Sequence, residues 1–191
     1  MAAGVGSRMH PVTLQVPKPL VKVNGIRMID TAVQGLLENG IDEIHVVVGY
    51  QKEKFERWSK KYCQVHLIEN PYYKYCNNIS SLYAARAYLE DVIILDGDQM
   101  IYNTDVLEPS FERSGYNAQW TDQPTDEWLM KVENGIVTSC SRNGGSLGWR
   151  LFSISRWNQK DGQQLKKHLE LEFSHDLSLS NNLLIPDKNY I

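Results

Sequence analysis

Three segments of this 191-residue chain carry residue types suited to phosphate and metal chemistry. The first is Met1-Ala2-Ala3-Gly4-Val5-Gly6-Ser7-Arg8-Met9. Its small residues and Gly6 let successive backbone N–H groups close around an anion. Arg8 adds a planar, permanently charged fork. Further on, Pro17-Lys18-Pro19-Leu20 places one lysine on a stiff backbone, where it can act as a fixed positive charge. The second segment is Asp96-Gly97-Asp98, at the end of the apolar run Val92-Ile93-Ile94-Leu95. Two carboxylates there suit a hard cation such as Mg²⁺, which takes one or two carboxylates plus phosphate oxygens. The third is Tyr72 to Tyr83, where Asn77, Asn78, Ser80 and Ser81 offer both helix caps and donors or acceptors for a base or ribose. Taken singly, each has a plain structural reading: a loose terminus, a solvated turn, an N-cap.

The elements that position these residues follow from periodicity. Residues 28–39 place apolar side chains at helical spacing and stop at Gly40. Ile44 to Val48 and Val92 to Leu95 are short β-branched runs that read as buried strands, and Val65 to Ile68 is another short strand. Residues 51–62 and 78–89 read as helices between them. Beyond residue 105 the pattern changes to short strands at 117–121, 127–132, 136–141 and 149–154, separated by turns such as Asn134-Gly135, then a polar helix over 157–173. Residues 1–25 read as loop. Alternating helices and continuous apolar strands predict an α/β fold, a three-layer α/β/α Rossmann-like sandwich with a mixed, mainly parallel sheet. Ligands of such sheets bind at the carboxyl ends of the strands, where Asp96 and Asp98 fall.

Composition narrows the function class. A net charge of −3 argues against nucleic acid and against an anionic membrane surface as partners. No apolar run approaches the ~18 residues of a membrane span. Cys63, Cys76 and Cys140 form no CxxC pair, so a reducing, cytoplasmic setting is expected rather than a disulfide framework or zinc site. The length suits a single domain over residues 1–191.

The pattern A-A-G-x-G-S-R-M-x-P-x-T followed by P-K-P-L resembles the signature of the nucleotidyltransferase superfamily that makes activated sugars and alcohols. The sequence N-N-x-x-S-L-Y ahead of D-x-D, the segment Glu43-Ile44-x-Val46-Val47-Val48-Gly49-Tyr50 and the pair Glu127-Trp128 resemble the bacterial CTP:phosphocholine cytidylyltransferases. The resemblance implies the nucleotide-diphospho-sugar transferase fold, CTP and phosphocholine as substrates, and Mg²⁺ as cofactor. It implies that Ala2, Ala3, Gly4, Gly6 and Ser7 cradle the nucleotide, with Arg8, Lys18 and Asp98 catalytic. It places Asn77, Asn78, Ser80 and Ser81 near cytosine and ribose. Asp98 would be the main metal ligand, Asp96 a second, and Asn181 (or its neighbour Ser180, with Asp176 close by) a third from a later segment. In that family a buried strand precedes the loop and further elements follow residue 191; the expectation is a domain without them.

Five Trp and ten Tyr are a heavy aromatic load. Aromatic faces hold a trimethylammonium group by cation–π attraction. Trp128, Trp120, Trp149 and Tyr83 are the candidates, with Glu127 or Asp96 as acid, and core packing is the competing use for each. The expected reaction is in-line transfer of CMP from CTP to phosphocholine, with pyrophosphate leaving. Competing readings are transfer to a sugar-1-phosphate, phosphoethanolamine or 2-aminoethylphosphonate, and a nucleotide-binding domain without turnover. The residues do not speak to the oligomeric state.

Overall fold

The computed structural model describes residues 1–76 and 78–179. After a single 3-10 turn at Ser7–Met9 comes the four-residue helix α1 (Val12–Gln15), and a second such turn covers Lys18–Leu20. A hairpin follows, β1 (Lys22–Val23) and β2 (Ile26–Arg27). Its tip, Asn24-Gly25, has both residues at positive φ (51° and 85°), the geometry a two-residue I′ turn demands.

Helix α2 (Met28–Glu38) buries Met28, Ile29, Ala32, Val33 and Leu36, one stripe at helical spacing. Strand β3 (Ile44–Val48) is buried almost throughout, and after it α3 (Lys52–Ser59) sinks Phe55 and Trp58. Strand β4 (Val65–Glu69) pairs with β3 in parallel, as strands joined by a helical crossover do. Helix α4 (Asn78–Ala84) stops sooner than its pattern predicts and passes into a 3-10 turn at Arg86–Tyr88.

Strand β5 (Val92–Leu95) begins the other half of the sheet. It pairs antiparallel with β9 (Gly148–Trp157), which also pairs with β6 (Gly115–Thr121) and β7 (Leu129–Glu133); β8 (Ile136–Ser141) closes on β7. Helix α5 (Gln159–Leu179) follows, its Leu169 and Phe173 buried. The main core lies between α2, β3 and α3, around Val33, Val46, Val48, Phe55, Trp58 and Leu107. The result is the mixed α/β sheet expected, with parallel pairing in its first half and antiparallel pairing in its second.

The two halves are joined by the first three residues of the chain. The N–H of Ala2 donates to the carbonyl of Val47 at 2.9 Å, and the N–H of Tyr50 donates to that of Ala3 at 3.1 Å. On the other side the N–H of Met1 donates to the Leu95 carbonyl at 2.5 Å, and the N–H of Gly97 donates to the Met1 carbonyl at 2.8 Å. Met1 to Ala3 therefore bridge the ends of β3 and β5 by backbone hydrogen bonds. Along the remainder of that seam, between β3 and β5, lies an apolar cavity of about 230 Å³ lined by Val46, Ile93 and Tyr88 among others.

Candidate active site

The segment after Ala3 turns sharply. Gly6 sits at φ 67°, a left-handed conformation that only glycine adopts without strain. A side chain there would meet Thr13 Cγ2 at 3.1 Å and Lys18 Cβ at 3.2 Å. Thr13 is fully buried, and its hydroxyl donates to the Gly6 carbonyl at 2.9 Å, locking the turn. Ser7 and Arg8 are exposed. No ion-pair partner lies within 4.0 Å of Arg8 among the described residues. The loop thus presents a free guanidinium beside a rigid turn.

Strand β5 delivers Asp96-Gly97-Asp98 to the same place. Ala2 Cβ and Pro19 Cβ lie 3.4 and 3.5 Å from where a Gly97 side chain would begin, so the acidic turn packs directly on the loop and on the lysine's own segment. Lys18 Nζ meets Asp98 Oδ2 at 2.5 Å, with each side chain about 30% exposed (29% and 30%). Asp96 lies deeper. Burial pushes its carboxyl above the usual range, opposed by the Met1 amino group and by a hydrogen bond from Ser153. Two carboxylates at one strand end, beside a lysine and a loop of backbone donors, are a donor set that fits Mg²⁺ arriving with a triphosphate. Among the described residues no group of three or more His, Cys, Asp or Glu could hold a metal by itself.

The Asn-Asn-x-x-Ser-Leu-Tyr segment departs from expectation. Asn78 is exposed at the start of α4, whereas Ser80 and Ser81 turn inward. The Asn70 side chain, 1% exposed, donates to Ser80 at 2.8 Å and Ser81 at 3.2 Å, and accepts from the Tyr72 N–H at 2.8 Å. Asn70 also donates its own N–H to the Val48 carbonyl. These serines therefore pin α4 to the end of β4 rather than facing the cleft. Motif reading passed over Asn70 as a positioning residue, and it gave Thr13, the closing position of the loop pattern, no role of its own. The Asn70-Pro71 step was the available signal for the first, as Asn-Pro favours a turn start.

The aromatic cage also departs from expectation. Tyr83 stacks on Phe173 at 4.4 Å and carries the Arg86 guanidinium at 4.1 Å, two neighbours that cannot share one ring face. Tyr83 is packing, because both faces are taken. Trp120 and Trp149 are cross-strand partners of β6 and β9, in edge contact at 5.5 Å and partly exposed. Trp128 has the Arg142 guanidinium over its ring at 5.2 Å, and Glu127 is exposed. Asn77, Ser180 and Asn181 lie outside the described residues.

The MobA-like NTP transferase domain matches residues 1–128, the part of the chain that builds the loop, the Lys18–Asp98 pair and the Asn70 anchor. The chain belongs to this family. It is a nucleotidyltransferase, and several of its relatives are cytidylyltransferases. The chain is 36% identical over 178 residues to the 2-aminoethylphosphonate cytidylyltransferase of Lancefieldella rimae, covering 92% of this chain and 70% of that one. It is 30% identical over 180 residues to the choline-phosphate cytidylyltransferase of Streptococcus pneumoniae, covering 91% and 75%. The solved structure of a CTP:phosphocholine cytidylyltransferase from Streptococcus pneumoniae superposes with a TM-score of 0.85 at 28% identity, over 91% of this chain and 75% of that one. In the nucleotidyltransferase the loop, Lys18 and Asp98 thus lie together at the carboxyl end of β5. Among the described residues no helix is long and apolar enough to cross a membrane.

Proposed function

We propose that this nucleotidyltransferase moves CMP from CTP to a small aminoalkyl phosphonate or phosphate, with 2-aminoethylphosphonate as acceptor and pyrophosphate as second product. The contact of Lys18 with Asp98 beside the Gly6 turn carries the reading, because it puts a cation, a carboxylate and a turn of backbone donors at one place. An anionic oxygen of the acceptor attacks the α-phosphorus. A new O–P bond forms, the bond to the bridging oxygen breaks opposite it, and pyrophosphate leaves. The attacking oxygen is already ionised, so no general base is required. Lys18 and Arg8 offset the negative charge that gathers on the phosphoryl oxygens, and the loop amides orient the triphosphate. Asp98, with Asp96 behind it, would hold Mg²⁺, which supplies Lewis-acid charge neutralisation when bound.

The choice of acceptor rests on the aromatic residues. Tyr83 has no open face, and Trp128 already carries a guanidinium. That favours a primary ammonium, held by hydrogen bonds, over trimethylammonium. Phosphocholine is the second reading, supported by the 0.85 superposition on a phosphocholine enzyme. Pyrophosphate release with CTP or UTP against 2-aminoethylphosphonate, phosphocholine, phosphoethanolamine and glucose-1-phosphate tests both. The expected order is the phosphonate first and phosphocholine second, with CTP required. Release only with the sugar phosphate would overturn the acceptor class, and no release with any pair would overturn the activity.

A further inference from the structure

A second cavity lies on the outer side of the segment that carries Lys18. Its volume is about 580 Å³, within the range of small-molecule sites. Five cations line it: Lys22, Arg27, Lys54, Arg57 and Lys61. Val16, Leu20 and the nearly buried Trp58 form an apolar floor. The arrangement follows from the sequence. Lys54, Arg57 and Lys61 stand at i, i+3 and i+7 along and just past α3, on the helical stripe that includes Trp58, while Lys22 and Arg27 come from the two strands of the β1–β2 hairpin.

The charge is only partly balanced locally. No acidic side chain lines the cavity. The neighbouring Asp30 is committed to Trp58 Nε1 at 2.6 Å and to Arg27 at 3.5 Å. Lys54 donates to the Gln15 carbonyl. Lys22, Arg57 and Lys61 have no ion-pair partner within 4.0 Å among the described residues. Four of the five cations have no ion-pair partner among the described residues, and gathered around one concavity, in a chain whose net charge is −3, they repel one another unless an anion joins them.

We infer that this cavity is a binding site for a compact polyphosphorylated small molecule, separate from the catalytic cleft. A concave site with an apolar floor and cations from two elements suits clustered phosphate oxygens better than a flat surface or an extended strand would. The same backbone, from Val12 to Leu20, walls both places: Val16 and Leu20 face this cavity, while Thr13 holds the Gly6 turn and Lys18 reaches Asp98.

Titration calorimetry with inorganic tripolyphosphate, on the full chain in low-salt buffer without Mg²⁺, tests the inference independently of turnover. Wild-type protein should show two classes of site. The double variant Arg57→Ala/Lys61→Ala should weaken one class by about tenfold or more and keep the other. Lys18→Ala should do the reverse. Circular dichroism and melting temperature of the double variant establish that it is folded, and the single variant Lys22→Ala, away from α3, should weaken the same class. A single class in wild type that Lys18→Ala removes and Arg57→Ala/Lys61→Ala leaves intact would overturn the inference, leaving a solvated basic face.

Discussion

Lys18 Nζ and Asp98 Oδ2 stand 2.5 Å apart, although eighty residues separate them in the chain. Both side chains are partly open to solvent, so the pair contributes little to stability, on the order of 0–1 kcal/mol. On the proposed mechanism its worth is in holding a phosphate-binding cation and a metal-binding carboxylate at one point. Lys18→Ala and Asp98→Asn should each lower kcat by about 10²–10³-fold, while the melting temperature shifts little. Unchanged kcat in either variant would remove that residue from the mechanism.

Metal dependence follows from the donor set. Chelation with EDTA should abolish pyrophosphate release, and added Mg²⁺ should restore it. In Asp98→Asn the Mg²⁺ concentration needed for half-maximal rate should rise. An identical Mg²⁺ requirement in the variant and the wild type would place the ion elsewhere.

The turn at Gly6 depends on its backbone. Gly6→Ala adds a methyl against Thr13 and Lys18 at a φ of 67°, costing about 1–2 kcal/mol at that residue. KM for CTP should rise more than KM for the acceptor, because on the proposed mechanism the turn serves the triphosphate. Thr13→Val, which keeps the shape and deletes the hydroxyl, should produce a milder form of the same defect.

Asn70 makes three side-chain hydrogen bonds in a buried setting. Asn70→Ala leaves those partners unmatched, at about 1–3 kcal/mol for each buried polar group so stranded. The melting temperature should fall by several degrees. Ser80→Ala, which removes one of the three, should fall less. A melting temperature unchanged in Asn70→Ala would mean that α4 is held by its apolar contacts alone.

Much of this was legible in the chain. The β-branched runs of β3 and β5 and the stripe on α2 gave their elements clear periods, and the loop motif and Asp96-Gly97-Asp98 were visible as chemistry. Other parts depended on distant partners. The hairpin β1–β2 is only two residues to a strand, too short for alternation to show, though Asn24-Gly25 marked its turn. The inward rotation of Ser80 and Ser81 depends on Asn70, ten and eleven residues earlier, and the filling of both Tyr83 faces depends on Phe173, ninety residues later. A polar motif and an aromatic count name side chains without saying which way they point.

The segment Met1 to Ala3 has a mechanical consequence. Its backbone is bonded to Val47 and Tyr50 on one side and to Leu95 and Gly97 on the other, just ahead of the Gly6 turn. The amides of Ala2 and Gly97, buried and bonded across it, should exchange with deuterated solvent well after those of the exposed Gly4 and Arg8. A substitution that loosens the end of β3 or of β5 would then be felt at the turn itself, since both are tied to the same three residues.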